Sequence, residues 1–166
     1  MDADSLKALQ APLKDKYRTA PGEARITLRA QGRLGDNVSC SVETGRAMAA
    51  AGLHPASGGD GSLLCSGDML LQALVACAGV TLNAVATALE IDIGDAEVIA
   101  EGDLDFRGTL GVDKGAPVGF SDIRLRFVLG NQIGDDQRAT LLKLTERYCV
   151  VLQTLKTPAA ISAEIS

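Results

Sequence analysis

The sequence predicts an α+β domain in which two long core helices pack on an antiparallel sheet. Residues 69–89 carry no charge and no proline, and nearly all of them are apolar or small. As a helix this segment would be about 30 Å long, and a uniformly apolar helix of that length must be buried on most sides. A second stretch with helical spacing follows near the C-terminus. Around both stretches, apolar and polar residues alternate as in half-exposed strands.

Composition restricts the class of protein. The 166 residues suit one domain, and contents of 46% hydrophobic and 22% charged residues are ordinary for a globular protein. The net charge of −5 argues against nucleic-acid binding, which needs clustered lysine and arginine to displace counterions. The first residues do not match the basic start and apolar run of a secretion signal, so we expect a cytoplasmic protein.

The long apolar segment also has the length of a membrane span. It contains Gln72 and Asn83, however, and it is flanked by Asp68 and Glu90. These polar and charged side chains favour the buried helix of a soluble protein, and we expect no membrane contact.

The first part of the chain is predicted to form a short amphipathic helix, a hairpin and a loop. Ser5 is a candidate N-cap of the helix, and Pro12 is expected to limit or kink it. The loop contains His54, which we expect to be a simple loop residue, and its glycines match no phosphate-binding pattern. In order, the elements are helix Ser5–Tyr17, strand Ala24–Ala30, turn Gly32–Asn37, strand Val38–Val42 and loop Thr44–Leu63.

The second part of the chain is predicted to contain both core helices and three strands. In the first two of these strands, the acidic face of one could pair across to the basic face of the other. In order, the elements are the core helix from Ser66 to a stop near Ile91–Gly94, strand Ala96–Arg107, strand Val118–Leu129, a helix from Asp135 or Asp136 to Leu155, and a closing strand Ala159–Ile165.

The cysteines fit no zinc spacing and no CxxC motif, and we expect them to be reduced. They are Cys40, Cys65, Cys77 and Cys149. Each of them, taken alone, is typical of a small buried side chain. Cys77 and Cys149, however, lie on the two predicted core helices, so packing of those helices could bring these two thiols together.

Two thiols in a core can form a two-step redox centre. One thiolate attacks an O–O bond and becomes a sulfenic acid, which the other thiol converts to a disulfide. This chemistry requires Cα atoms within about 7 Å of each other in the oxidised form. It also requires a group that keeps the thiolate charged, because burial alone raises the pKa of a thiol. Candidates are Arg29 and Arg33, with Asp68 to orient an arginine. From spacing alone, a redox pair and simple packing both stay open.

Two motifs resemble those of one known family. The segment Cys65-Ser-Gly-Asp-Met-Leu-Leu-Gln-Ala-Leu-Val-Ala-Cys77 resembles the SPxELLxAALAxC signature of the OsmC/Ohr family of organic hydroperoxide reductases. The segment Tyr148-Cys-Val-Val-Leu-Gln-Thr-Leu155 resembles the second motif of that family, a cysteine usually followed by Pro-Val and, a few residues later, a leucine. We therefore assign residues 1–22 to an N-terminal helical extension and residues 23–166 to an OsmC-like domain.

The resemblance implies an intertwined homodimer with two sites built from both chains. It implies that Cys77 is the peroxidatic thiol and that Cys149 is the resolving thiol. It also implies that Arg33, in the first hairpin, activates the thiolate and that Asp68 is the acidic partner of this arginine. The substrate would be an organic hydroperoxide and the reductant a lipoyl-type dithiol, with no cofactor and no metal.

From the resemblance we expect a peroxidase of the oxidative stress response, which reduces organic hydroperoxides through a Cys77 sulfenic acid and a Cys77–Cys149 disulfide. Two positions depart from the family pattern, because Asp68 replaces a glutamate and Val150 replaces the proline. These departures leave two alternatives open. The chain could be a catalytically weak OsmC-like protein that binds a small apolar or thiol ligand. It could also be a redox sensor, or a structural dimer, that no dithiol recycles efficiently.

Overall fold

A computed structural model describes residues 2–19, 31–35, 39–43, 48–111 and 113–165. Its contacts divide the chain into two compact units. The unit that we call the helical unit comprises Met1–Lys16, Ala73–Ile99 and Arg126–Ser166, and the sheet unit comprises Tyr17–Gln72 and Ala100–Leu125. The predicted strand Ala24–Ala30 lies outside the described residues.

The sheet unit is built on a four-stranded sheet with the order β1-β2-β3-β4. The β1–β2 and β2–β3 pairs are antiparallel, and the β3–β4 pair is parallel. The antiparallel hairpin of β1 and β2 confirms that this region forms a hairpin, although its first strand includes residues 32–35, which the sequence had suggested as a turn. The strands are β1 Gln31–Gly35, β2 Ser39–Glu43, β3 Met48–Gly52 and β4 Leu64–Cys65.

The expectation of an unbroken loop over Thr44–Leu63 is wrong, because β3 lies within it. The sequence of this strand is Met-Ala-Ala-Ala-Gly, and alanine and glycine have low strand propensity, so pairing with β2 decides its conformation. A 3-10 turn, Pro55–Ser57, follows. His54 caps this turn by accepting a hydrogen bond at Nδ1 from the Ala56 N–H at 3.0 Å, which confirms that it is a loop residue.

Helix α1, Ala3–Thr19, begins earlier than the sequence suggested. The Oδ1 atom of Asp2 accepts a hydrogen bond from the Ser5 N–H at 2.7 Å, so Asp2 caps the helix and Ser5 lies inside its first turn. Pro12 lies within α1 and does not end it.

The core helix α2, Ser66–Ala88, begins at the predicted residue and ends before the predicted stop near Ile91–Gly94. Several of the other predicted boundaries shift, and one shift has a clear cause. Asp105 accepts a hydrogen bond from the Arg107 N–H at 3.0 Å and starts a short helix, so the preceding strand ends earlier. The elements after α2 are β5 Glu97–Asp103, α3 Phe106–Thr109, β6 Asp122–Val128, α4 Asp135–Tyr148 and α5 Val150–Lys156.

Strands β5 and β6 form a two-stranded sheet. The Ser121 N–H donates to the Asp103 carbonyl at 2.9 Å, next to the end of β5 and the start of β6, which is the arrangement of an antiparallel pair. The guanidinium of Arg124 binds both Asp103 and Asp122 and lies 3.8 Å from Glu101. This hydrogen bonding lowers the pKa of Asp103 below its ordinary value. The predicted pairing of an acidic face with a basic face is therefore confirmed.

The core of the helical unit forms where α2 meets α4. Leu82 and Ala86 of α2 pack with Leu141 of α4, and partly buried side chains of β5 and β6, among them Val98 and Phe127, complete the cluster. The buried residues of α2 follow a four-residue spacing and form a single stripe, which consists of Leu74, Ala78, Leu82 and Ala86. The described chain therefore buries one side of this helix rather than most of its surface.

The opposite side of α2 is exposed, and Val80 keeps 73% of its surface accessible. Among the described residues, α2 is the helix that is long and apolar enough to cross a membrane. This is weak evidence for a membrane span, because the core helix of a soluble protein meets the same criterion.

The closing strand predicted over Ala159–Ile165 is wrong for the described chain, which has no regular structure there. Ile161 and Ile165 are almost fully exposed, at 89% and 103%. A strand needs the hydrogen bonds of a neighbouring strand, and none of the strands in the described residues pairs with this segment.

We predict that Glu90→Gly stabilises the protein by about 1 kcal/mol. Glu90 follows α2 with a φ of 56°, a left-handed conformation that strains a residue with a Cβ atom. The matched control is Glu90→Ala, which removes the same carboxylate and keeps the Cβ. Chemical denaturation of the three proteins measures the difference. Equal stabilisation by alanine and glycine would show that the backbone conformation is not the cause.

Candidate active site

Two free cysteines come together in the helical unit. Cys77 lies in the middle of α2 and is partly exposed, whereas Cys149 lies between α4 and α5 and is fully buried. The two thiol groups lie close enough that each shifts the pKa of the other. Packing of the two core helices therefore brings these cysteines together, as a redox pair requires.

Cys149 interrupts what the sequence suggested would be one continuous helix to Leu155. Its backbone is extended, with φ of −72° and ψ of 107°, so α4 ends before it and α5 begins after it. The Cys149 N–H still donates to the Thr145 carbonyl at 3.0 Å, and its own carbonyl accepts from the Gln153 N–H at 2.9 Å. The break is therefore present although Val150 stands where the resembling family usually has proline.

The break directs two backbone N–H groups to the sulfur of Cys77. In an uninterrupted helix, the Val150 N–H would donate to the carbonyl four residues earlier. With ψ of Cys149 at 107°, the N–H groups of Val150 and Val151 instead hydrogen-bond to the Cys77 sulfur. Backbone donors to a charged acceptor form strong hydrogen bonds, because the acceptor is ionised.

These donors favour the thiolate form of Cys77. Burial raises the pKa of Cys77, but the hydrogen bonds from the Val151 N–H, the Cys149 thiol and the Val150 N–H outweigh it, so that the pKa lies below its ordinary value. Thr81, whose hydroxyl donates to the Cys77 carbonyl at 2.7 Å, contributes less.

Cys149 is shifted in the opposite direction. Burial raises its pKa, and the interaction with the neighbouring Cys77 thiol raises it further, whereas N–H groups at the start of α5 oppose the shift. Cys77 therefore has more thiolate character than Cys149, whose raised pKa favours the thiol form that can donate a hydrogen bond. This asymmetry suits a pair in which one cysteine reacts first and the other reacts second.

A further polar group lies beside the pair. Thr145, one helical turn before Cys149, is fully buried, and its hydroxyl has no hydrogen-bond partner among the described residues. Such groups are uncommon in protein interiors, and the sequence carried no signal for this one because threonine occurs throughout amphipathic helices.

Two predicted site residues belong to the sheet unit. Asp68 is exposed in the first turn of α2, nine residues before Cys77. Arg33 lies in β1 opposite Ser41, and its side chain is outside the described part of the structure. Arg29 lies outside the described residues altogether. The roles of Arg33 and Asp68 therefore stay predictions.

The sequence did not reveal the groups that act most directly on Cys77. The N–H groups of Val150 and Val151 belong to the backbone, so no residue type marks them, and only the helix break makes them available. Within the described ranges, no group of three or more histidine, cysteine, aspartate or glutamate side chains is arranged to hold a metal ion.

Comparison with known proteins gives one family. The model of the OsmC family, described as OsmC-like protein, matches residues 59–164, which is more than half of the chain. No curated protein sequence is significantly similar to the sequence of this chain.

Solved structures with the same fold share little sequence with this chain. An OsmC-like protein from Mycoplasma pneumoniae is 17% identical, with a TM-score of 0.67 over 80% of this chain and 89% of that one. An organic hydroperoxide resistance protein OsmC from Legionella pneumophila is 16% identical, with a TM-score of 0.62 over 80% and 90%. The organic hydroperoxide resistance protein OhrB of Bacillus subtilis is 18% identical, with a TM-score of 0.56 over 80% and 93%. These likenesses confirm the predicted α+β, OsmC-like fold.

We predict that Cys149→Ala raises the pKa of Cys77, whereas Cys149→Ser leaves it low. Both variants prevent a disulfide between the two positions, but only serine keeps a hydrogen-bond donor beside the Cys77 sulfur. The rate of Cys77 alkylation by iodoacetamide against pH measures this, with the modified peptide identified by mass spectrometry. In the wild type, the rate should fall as the pH drops through a midpoint below about 8.5, the usual value for cysteine. Identical midpoints for the alanine and serine variants would contradict the role of this hydrogen bond.

Proposed function

We propose that this chain, which belongs to the OsmC-like protein family, is a thiol-dependent peroxidase that reduces organic hydroperoxides. The observation that carries the proposal is the pair of opposed thiols, in which the pKa of Cys77 is lowered and the pKa of Cys149 is raised. Two of the structural relatives, those from Legionella pneumophila and Bacillus subtilis, are named organic hydroperoxide resistance proteins.

The reaction would proceed in two steps at the two sulfurs. The Cys77 thiolate attacks the terminal oxygen of the hydroperoxide, the O–O bond breaks, and the alkoxide takes up a proton and leaves as the alcohol. Cys77 is now a sulfenic acid. The sulfur of Cys149 then attacks the Cys77 sulfur, which forms the disulfide, and the hydroxyl group leaves with the Cys149 proton as water.

An external dithiol would close the cycle. It reduces the Cys77–Cys149 disulfide through a mixed disulfide and is itself oxidised to a cyclic disulfide, which restores both thiols. A lipoyl-type dithiol suits this step, as the family resemblance implies. Because the cycle needs a reducing compartment, we place the protein in the cytoplasm. The chemistry takes place on sulfur alone and requires no cofactor.

The surroundings of Cys77 favour an alkyl hydroperoxide over hydrogen peroxide. Val80, one helical turn after Cys77, is 73% exposed, and Val150, whose N–H binds the Cys77 sulfur, is 69% exposed. Apolar side chains beside the nucleophile gain free energy from covering an alkyl chain and gain none from hydrogen peroxide.

The same exposed apolar side chains support a homodimer. Two further features fit this proposal: α2 buries only one stripe, and the exposed isoleucines of the C-terminal segment have no strand to pair with among the described residues. A second copy that covers these side chains would also supply residues to each site. The exposed apolar side chains include Leu70, Val80, Leu110, Val118, Tyr148, Val150, Ile161 and Ile165.

We predict that the protein turns over cumene hydroperoxide with dihydrolipoamide as the reductant, and that Cys77→Ser abolishes this turnover. A serine hydroxyl cannot form the sulfenic acid on which the cycle depends. The matched control is Cys65→Ser, which removes a partly buried thiol of the sheet unit and should leave the rate unchanged. Turnover that survives in Cys77→Ser would overturn the mechanism. Disulfide formation that occurs once, without recycling by the dithiol, would favour a redox sensor.

We further propose that Arg33 activates Cys77 and that Asp68 orients this arginine. We predict that Arg33→Gln lowers the rate of the peroxide step by about 10- to 100-fold, because a charge-assisted hydrogen bond to the thiolate is lost. The matched control is Arg29→Gln, the same substitution at the second candidate arginine, and it should leave the rate of the peroxide step nearly unchanged. Single-turnover kinetics with cumene hydroperoxide measure this step alone. A larger loss in Arg29→Gln would move the role to that residue.

A further inference from the structure

The interruption of the helix at Cys149 removes the usual donor of the Glu146 carbonyl. In an uninterrupted helix, the Glu146 carbonyl would accept a hydrogen bond from the Val150 N–H. That N–H instead binds the sulfur of Cys77. The side-chain amide of Gln153 takes its place, and its Nε2 atom donates to the Glu146 carbonyl at 2.7 Å.

This hydrogen bond can form only in the broken arrangement. Gln153 lies seven residues after Glu146, which is a rise of about 10 Å along a straight helix, too far for the two groups to meet while Val150 occupies the carbonyl. The hydrogen bond of Gln153 therefore contributes to the broken arrangement and contributes nothing to the straight one.

The sequence provides no other strong reason for the break. Val150 has a free N–H and can continue a helix, in contrast to the proline of the resembling family. A salt bridge between Lys156 and Glu146 also spans the break, but its atoms are 3.7 Å apart and both side chains are about half exposed. Exposed pairs of this kind contribute little to stability.

We propose that Gln153 is a positioning residue that holds the break between α4 and α5 open by binding the Glu146 carbonyl, and so keeps the N–H groups of Val150 and Val151 directed at the sulfur of Cys77. The inference deepens the proposed peroxidase function. Its relevance to catalysis rests on that function, whereas the effect of Gln153 on the Cys77 thiol does not. Gln153 is itself exposed, and its action on Cys77 passes through the backbone.

The test measures Cys77 alkylation by iodoacetamide against pH in the full-length protein, with mass spectrometry to identify the modified peptide. The first variant is Gln153→Met, which has a similar length and helix propensity but no donor. Its control is Thr154→Val, which keeps β-branching and removes a hydroxyl that bonds within α5, to the Val150 carbonyl at 2.9 Å. We expect Gln153→Met to lower the thiolate fraction at neutral pH by about 2- to 10-fold, the effect of one hydrogen bond, and Thr154→Val to change nothing.

A second pair of variants separates the break from general damage. Val150→Pro should fix the break, because proline fits the first position of a helix and favours an extended residue before it, as Cys149 already is. Val150→Pro also removes one donor to Cys77, so the double variant is compared with the alkylation rates of Val150→Pro rather than with those of the wild type. In this background we expect Gln153→Met to cause no further change. This comparison also decides the matter if Gln153→Met alone fails to fold.

Three results would overturn the inference. The first is a rate of Cys77 alkylation against pH in Gln153→Met that equals that of the wild type. The second is an equal change of this rate in Thr154→Val. The third is a further change of the rate when Gln153→Met is added to Val150→Pro. None of these measurements requires peroxide. If the Gln153 effect is found and turnover of cumene hydroperoxide is not, the proposed function fails and the positioning role stands. If turnover is found and the Gln153 effect is not, the proposed function stands and the positioning role fails.

Discussion

Competition for two backbone N–H groups shapes the environment of the Cys77 thiol. The N–H groups of Val150 and Val151 can bind carbonyl oxygens in a straight helix or the sulfur of Cys77 across a broken one. The broken arrangement places donors at a buried thiol whose charge would otherwise be costly. Cys149, at the same break, is fully buried, and its pKa is raised. The backbone conformation at Cys149 and the pKa of the Cys77 thiol are therefore linked.

The sequence predicted those parts of the fold in which side-chain patterns match the final contacts. The long apolar segment became α2 with the predicted start, and Arg124 pairs across β5 and β6 as the charge pattern indicated. Strand β3 was missed because its alanines have low strand propensity, and the pairing with β2 is a tertiary effect. The break at Cys149 was missed because the apolar stripe continues across it, and only the hydrogen bonds of Gln153 and Cys77 distinguish a broken helix from a straight one.

The site itself shows the same division. The pairing of Cys77 with Cys149 followed from their positions on two core helices together with the family resemblance, whereas the groups that lower the pKa of Cys77 followed from neither. An electrostatic account based on residue types looks first for arginines. The described surroundings of this thiol act instead through backbone amides, which every sequence contains and only a particular backbone conformation exposes.

The break also makes the segment sensitive to its own oxidation. Once Cys77 is joined to Cys149, its sulfur carries no charge, and the N–H groups of Val150 and Val151 lose the acceptor that held them. We therefore expect the start of α5 to be held by weaker hydrogen bonds in the oxidised form and to open more readily. In the proposed cycle, this loosening would occur at the stage when an external reductant must reach the disulfide.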